Sequence, residues 1–153
     1  MSNPQSFRKT AKFFAVIVAL CVSSVACGPT PTAPSQFAAY SQTDLQIGTG
    51  DEAVSGLTIG VRYTLWLYDS SKLANKGLQL ESSAGGDPFS FQLGANQVIE
   101  GWERGVPGMR VGGRRRLIVP PDLAYGDTRI GPIPANATLV FDIELASVTA
   151  QQQ

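Results

Sequence analysis

The chain has 153 residues, 43% of them hydrophobic, which suffices for one globular domain with a modest core. Twelve Lys and Arg residues balance twelve Asp and Glu residues, but three of the cations lie in the first 26 residues, which contain no acid. The rest of the chain therefore has nine basic and twelve acidic groups, a net charge of −3, and no overall field that would attract nucleic acid. Because the sequence contains no histidine, Ser-His and Cys-His nucleophile pairs and His-ligated metal sites are excluded.

The N-terminus has the layout of a secretory signal. Positive charges at residues 8–12 precede the apolar run FFAVIVALCV (13–22), which is too short to span a bilayer as a helix. The stretch SVAC then ends at Cys27 and resembles the cleavage site of bacterial lipoproteins, although Ser24 stands where Leu, Val or Ile is usual. We predict a signal peptide over residues 1–26.

The sequence allows two alternatives for the N-terminus that cleavage of the signal peptide would create. The protein is either secreted after cleavage behind Ala26, or a lipoprotein in which Cys27 is lipidated. Cys21 is the only other cysteine and lies in the removable run, so Cys27 has no disulfide partner. An unpaired thiol is reactive in an oxidising compartment, whereas a lipidated cysteine has no free thiol, and this favours a lipid anchor on Cys27. We therefore expect an exported protein of the bacterial cell envelope, tethered by residues 27–44 to a membrane and facing the periplasm.

Four segments beyond residue 45 show the alternation of apolar and polar residues that is typical of half-buried strands. They are VRYTLWLY (61–68), FSFQL (89–93), RRRLIV (114–119) and TLVFDIELASV (138–148).

One segment, NQVIEGWERGV (96–106), has helical spacing instead. Its apolar residues recur around Trp102, Asn96 is the predicted N-cap, and Gly105 followed by Pro107 predicts the end of the helix. An antiparallel sheet packed on one short helix is an α+β fold, and this is the architecture that we predict.

No cofactor or metal motif is evident. Residues 48–53 (GTGDEA) nominally match a dinucleotide-binding pattern, but no apolar-periodic helix follows them, so we interpret them as a turn. The carboxylates lack the spacing of a metal loop, and Cys27 alone cannot form a thiolate cage. We therefore expect neither a cofactor nor a metal.

Aromatic residues, in contrast, are spread over several predicted elements. Any one of them is most simply explained as core, but together they can line a pocket. These residues are Tyr63, Phe89, Phe91, Trp102, Tyr125 and Phe141.

Two stretches, FQLGANQVIEGWERGVPGMRVGGRRRLIVPPDLAYG (91–126) and IPANATLVFDIEL (133–145), resemble the FKBP family of peptidyl-prolyl cis/trans isomerases. The likeness covers about residues 45–149. It rests on the linked set V-I-x-G-W, A-Y-G and I-P-x-x-A-T-L-V-F-D-I-E-L, whose order and distances are highly specific. We predict an FKBP-like domain over residues 45–150.

The resemblance implies a bent antiparallel sheet wrapped around the short helix, with an apolar pocket between them. Trp102 would form the pocket floor and Tyr125 its rim. The Tyr125 hydroxyl and the Ile99 backbone N–H would donate hydrogen bonds to ligand carbonyls, and Glu81 would lie near the Tyr63 hydroxyl. The implied catalytic residues are Tyr63, Glu81, Trp102, Tyr125 and Phe141. The implied substrate-binding residues are Leu80, Phe89, Val98, Ile99 and Ile133.

Three departures from the family pattern bear on substrate choice and macrolide affinity. The usual F-D-S-S is LESS at residues 80–83, which exchanges a flat ring for Leu80 and lengthens the acid. The segment between Tyr63 and Leu80 is several residues longer than in the minimal family member, which predicts a bulged or extended loop. Arg129 or Ile130 stands where a histidine is usual.

The implied function is the isomerisation of X-Pro bonds in proline-containing polypeptides, as folding assistance to exported proteins. Macrolide inhibitors of the FKBP class are further expected ligands, and we expect a monomer. The reaction needs no proton transfer or covalent step, so the absence of histidine is no objection. The alternative is a non-catalytic FKBP-like module that binds peptide or a partner protein, as a chaperone does, through the same groove.

The arginine run at residues 114–116 does not change this interpretation. At the period of two of a strand, Arg114 and Arg116 share one face and Arg115 points to the other. We expect salt bridges to Asp142 or Glu144 rather than contacts with nucleic acid.

Overall fold

The computed structural model describes residues 37–150, so the predicted signal peptide, Cys27 and most of the predicted tether lie outside the described residues. Within residues 37–150 no helix is long and apolar enough to cross a membrane. The elements are β1 (Ser41–Gln46), β2 (Thr58–Tyr68), β3 (Lys76–Ser82), β4 (Phe89–Gln92), α1 (Glu100–Gly105), β5 (Arg114–Val119) and β6 (Leu139–Thr149). Short 3-10 turns lie at Leu73–Asn75 and Pro121–Leu123.

The six strands form one antiparallel sheet with the order β1-β5-β6-β2-β3. Strand β4 pairs with the first half of β2, and β3 pairs with its second half. Because side chains alternate along a strand, one face of the sheet is apolar and buried. This inner face places Leu65 beside Phe141 and Tyr63 beside Ile143 in the register of β2 and β6. The α+β fold predicted from the sequence is confirmed.

Helix α1 packs closely against β5 on the inner face. Gly101 permits this approach, because a Cβ at that position would overlap with the side chain of Val119. Gly105 lies in the same way against Leu117. The short helix is thus held directly on the sheet, and the side chain of its residue Trp102 is buried.

Arg115, on the same face of β5 as Leu117, holds the carboxyl end of α1. Its guanidinium is buried and donates hydrogen bonds to the carbonyls of Gly105 at 2.8 Å and Pro107 at 3.1 Å. It also donates to Asp44 of β1 at 2.6 Å. A cation at the carboxyl end of a helix complements the exposed carbonyls there, so Arg115 is structural.

The structure corrects the predicted start of the helix. α1 begins at Glu100, and its N-cap is Ile99, which makes no side-chain capping hydrogen bond. Asn96 is not a cap, because it adopts a left-handed conformation (φ 53°) in the turn that precedes the helix. The helix is therefore about one turn and a half long and shorter than the predicted segment 96–106.

Two strands were not predicted. β1 starts at Ser41, so the end of the predicted tether over residues 27–44 belongs to the sheet. All six residues of β1 are exposed, which explains why no apolar alternation marks it. The predicted loop before Leu80 ends in the first residues of β3, which continues to Ser82, and the register of β3 against β2 shifts at bulges or irregularities. A turn anchored by Asp69, which accepts hydrogen bonds from the Ser71 backbone and hydroxyl, precedes it.

Candidate active site

A cavity of about 500 Å³ opens between α1, the inner face of the sheet and the loop before β6. All ten residues to which the resemblance gave a site role line it. They are Tyr63, Leu80, Glu81, Phe89, Val98, Ile99, Trp102, Tyr125, Ile133 and Phe141. Strands β2, β3, β4 and β6 and helix α1 each contribute at least one of them, so the site exists only in the folded chain.

The floor of the cavity is an aromatic cluster centred on Trp102, which is 5% exposed. Its ring meets Tyr63 edge-to-face at a centroid distance of 5.1 Å and Phe141 at 5.4 Å. Phe89 lies 6.3 Å away at the mouth, and Phe91 supports the indole from behind at 5.9 Å. Such edge-to-face packing fixes the ring positions, so the cavity is preformed.

Tyr63 and Glu81 form a hydrogen-bonded pair at one wall. The Tyr63 hydroxyl donates to Oε1 of Glu81 at 2.7 Å. Burial, followed by this hydrogen bond and the negative charge of Glu81, raises the pKa of Tyr63 above its ordinary value of 10.0. The hydroxyl is therefore neutral in the physiological range.

Several hydrogen-bond donors at the cavity, the buried Nε1 of Trp102 among them, have no protein partner within the described residues, and two of these donors are the ones that the resemblance assigns to ligand carbonyls. One is the Tyr125 hydroxyl, held by a loop in which the Gly126 N–H donates to the Pro121 carbonyl at 2.8 Å. The other is the backbone N–H of Ile99, whose carbonyl accepts from Trp102 at 2.9 Å. Burial, and then the charge of Glu81, raises the pKa of Tyr125, so its hydroxyl keeps its proton.

Six lining residues were absent from the predicted site: Leu65, Asn96, Gln97, Ile130, Gly131 and Pro132. Ile130 and Ile133 exchange backbone hydrogen bonds of 3.1 and 2.8 Å around Gly131, whose φ of +51° suits glycine. This tight turn brings Ile130, 44% exposed, over the edge of the cavity. The pattern I-G-P-I, a turn signal flanked by isoleucines, is the feature of the sequence that could have indicated this.

The lining of the cavity is suited to binding and not to proton transfer. Among the described residues, its ionisable groups are Glu81, which accepts a hydrogen bond from the Tyr63 hydroxyl, and the two neutral tyrosines. An apolar ring fits against the indole, and a carbonyl oxygen can accept from Tyr125 or Ile99. In physical terms the site defines a pocket for an apolar group flanked by amide carbonyls.

Comparison with known proteins agrees with the fold and the site. The model of the FKBP-type peptidyl-prolyl cis-trans isomerase family matches residues 50–146, and the chain belongs to this family. The family predicted from the sequence is thus confirmed.

Among curated relatives, FK506-binding protein 4 of Gibberella zeae is 47% identical over 105 residues, which are 69% of this chain and 20% of the relative. A peptidyl-prolyl cis-trans isomerase of Saccharomyces cerevisiae is 44% identical over 105 residues, 24% of its length. The chain thus spans about a quarter or less of these relatives.

Two crystal structures show the same fold. FkpA from Escherichia coli has a TM-score of 0.60 at 34% identity, over 72% of this chain and 48% of that one. AtFKBP13 has a TM-score of 0.58 at 35% identity, over 71% of this chain and 91% of that one.

Proposed function

We propose that this protein accelerates cis/trans isomerisation of X-Pro bonds in polypeptides. The observation that carries the proposal is the aromatic cavity over Trp102, beside which the Tyr125 hydroxyl and the Ile99 backbone N–H have no partner among the described residues. In this proposal Tyr63, Glu81, Trp102, Tyr125 and Phe141 form the catalytic set. The substrate-binding set is Leu80, Phe89, Val98, Ile99 and Ile133.

The barrier to rotation about an X-Pro bond is about 18–20 kcal/mol and comes from amide resonance. Resonance separates charge, so the planar amide is more polar than the twisted transition state. A dry apolar cavity therefore disfavours the planar ground state relative to the transition state. A proline ring held against Trp102 leaves the carbonyl of the preceding residue free to rotate toward the donors, which adds binding that is strongest in the twisted form.

A protease-coupled assay on an X-Pro peptide tests this activity. Lowering the barrier by about 4–6 kcal/mol would accelerate isomerisation roughly 10³–10⁴-fold. If the protein is no faster than buffer while the peptide still binds, the enzyme proposal fails and a binding module takes its place.

We extend the proposal to macrolide ligands of the FKBP class. The relatives named FK506-binding proteins support this extension. Leu80 provides apolar bulk but no flat ring at the wall, so we expect Leu80→Phe to tighten macrolide binding by about two- to tenfold. Calorimetry of both proteins checks this, and equal affinities would show that the wall does not contact the ligand.

We also propose that the protein is exported, that Cys27 is lipidated and anchors it to a membrane of the bacterial cell envelope, and that it acts as a monomer on exported polypeptides. The charged and apolar segments before Cys27 support export. Mass spectrometry of the mature N-terminus tests the anchor. An unmodified chain that starts at Cys27 would overturn it.

A further inference from the structure

A second groove, of about 300 Å³, lies on the outer face of the sheet, where the side chains of β2 and β6 point away from the aromatic cavity. It is distinct from the cavity in chemistry, since charged groups and one half-buried indole dominate its lining. These residues are Arg62, Trp66, Lys76, Arg114, Asp142 and Glu144.

The first row of charges across this groove consists of Arg114, Glu144 and Arg62 on the adjacent strands β5, β6 and β2. Arg62 approaches Glu144 at 3.6 Å. The side chain of Arg114 is exposed and makes no hydrogen bond or ion pair with the described residues. One carboxylate thus stands between two cations, and one of the two cations is left available.

The second row is centred on Asp142, which is 8% exposed. Arg116 donates to both of its carboxylate oxygens at 2.7 and 3.0 Å, and Lys76 donates at 2.6 Å. The Lys76 ammonium also lies 3.8 Å from the ring centroid of Trp66. Again two cations share one acid.

The lining of the groove has three cations, Arg62, Lys76 and Arg114, and two acids, Asp142 and Glu144, whereas the chain beyond residue 26 has a net charge of −3. Folding accounts for Arg62, which pairs with Glu144 and donates to the Gly86 carbonyl at 2.9 Å. It also accounts for Lys76, which donates to Asp142, but it leaves the Arg114 side chain without a partner among the described residues. The positive charge of the groove is opposite to that of the rest of the domain. It is complementary to a negatively charged partner.

We propose that this outer groove binds an acidic segment of a partner polypeptide, in which carboxylates recur every third residue. Neighbouring strands lie about 4.8 Å apart, so the columns of Arg114 and Arg62 are about 10 Å apart. In a polyproline II segment every third side chain lies on the same edge, at a spacing of about 9 Å. The two neutral residues between the acids lie on the other edges of the segment, so no carboxylate of the peptide faces Glu144.

The alternation of charge across the groove is what favours a peptide over a membrane surface. A sheet of anionic headgroups would bring negative charge against Asp142 and Glu144 as well as against the arginines. A polypeptide can place its acids selectively. The site does not depend on the proposed isomerase activity, since the aromatic cavity lies on the opposite face.

The test uses a fluorescein-labelled peptide of repeated Glu-Ser-Ser, without proline, and measures fluorescence anisotropy at low salt. We expect binding that weakens with added salt, and about two- to fivefold weaker binding to Arg114→Gln. Arg110→Gln is the matched control, since Arg110 pairs with Glu52 away from the groove. The Gln-Ser-Ser peptide should not bind.

The indole of Trp66 provides a second readout. In the Trp102→Phe variant, Trp66 is the only tryptophan left, and its emission should change when the Glu-Ser-Ser peptide binds. Equal losses of affinity in Arg114→Gln and Arg110→Gln would overturn the site in favour of a general charge effect. Binding to phosphatidylglycerol vesicles without binding to the peptide would also overturn it. Neither outcome bears on isomerase activity, because the peptide lacks proline.

Discussion

The hydroxyl of Tyr63 donates a 2.7 Å hydrogen bond to Glu81, whereas the hydroxyl of Tyr125 has no partner within the described residues. The two tyrosines border the same cavity but differ in what they can offer a ligand. The Tyr63 hydroxyl is already hydrogen-bonded within the wall of the cavity, whereas the Tyr125 hydroxyl can donate a hydrogen bond to a ligand. This difference leads to opposite expectations for the two phenylalanine substitutions.

Tyr125→Phe should lower kcat/KM by about three- to tenfold, since it removes one hydrogen bond to a substrate carbonyl. The free energy of unfolding should stay within about 0.5 kcal/mol of the wild-type value, because no internal bond is lost. Urea unfolding and the isomerase assay measure the two quantities. An unchanged kcat/KM would mean that this hydroxyl does not serve the transition state.

Tyr63→Phe should instead lower the free energy of unfolding by about 1 kcal/mol, through loss of the bond to Glu81. Glu81→Gln keeps an acceptor for the tyrosine hydroxyl and should cost less. Urea unfolding of the two variants compares them, and a larger loss in Glu81→Gln would contradict this assignment.

The pH profile of activity follows from the raised pKa of both tyrosines. Each folded pKa lies above 10.0, so both hydroxyls stay protonated until the pH passes that value. We expect kcat/KM to be flat from about pH 6 to about pH 9. A titration midpoint near neutrality would show that another group controls the rate.

The two tryptophans of the chain should report on different faces of the sheet. Trp102 forms the cavity floor, while Trp66 lies on the outer face beside Lys76. Binding of a proline peptide should therefore change the emission of Trp66→Phe, in which only Trp102 remains. The Trp102→Phe variant serves as the control and should show no change. The reverse result would place the proline site on the outer face.

Acid should destabilise the protein through Asp142. Burial alone would raise its pKa, but the hydrogen bonds and charges of Arg116 and Lys76 lower it below 3.8. The folded pKa is thus below the unfolded one, so the stabilisation is complete above about pH 4 and is lost as the pH falls through the folded value.

Asp142→Asn should accordingly lower the free energy of unfolding at pH 7 by about 2 kcal/mol, and the difference from wild type should shrink below about pH 4. Glu144→Gln is the control, because its pair with Arg62 is long and exposed and should contribute less than about 1 kcal/mol. Urea unfolding at several pH values measures both. A difference that is independent of pH would contradict the ionic origin.

The elements that could be predicted from the sequence are those whose side chains are sorted between core and solvent. β6 alternates between buried Phe141 or Ile143 and the charged residues of the outer face, so its pattern is plain. β1 is exposed along its whole length, and its stability comes from backbone pairing with β5, which leaves no apolar signal. In β3 the bulges break the alternation.

The site likewise contains residues that could be predicted from the sequence and residues that could not. The aromatic floor was predictable because large rings occupy positions that the family pattern identifies. Asn96 was misassigned because an asparagine suits both an N-cap and a left-handed turn, and only the packing of α1 on β5 decides between them. Salt bridges from the arginine run to Asp142 or Glu144 were predicted, and the structure has one from Arg116 to Asp142, whereas the role of Arg115 depends on helix carbonyls that no pattern reveals.

Exchange spectroscopy by NMR on a peptide with one X-Pro bond tests the central claim most directly, since it needs no coupled protease. With a small amount of the protein, cis and trans signals should exchange far faster than in buffer, and Tyr125→Phe should slow the exchange. Arg110→Gln, remote from the cavity, should match the wild type. Exchange at the buffer rate in the presence of bound peptide would contradict the proposed catalysis.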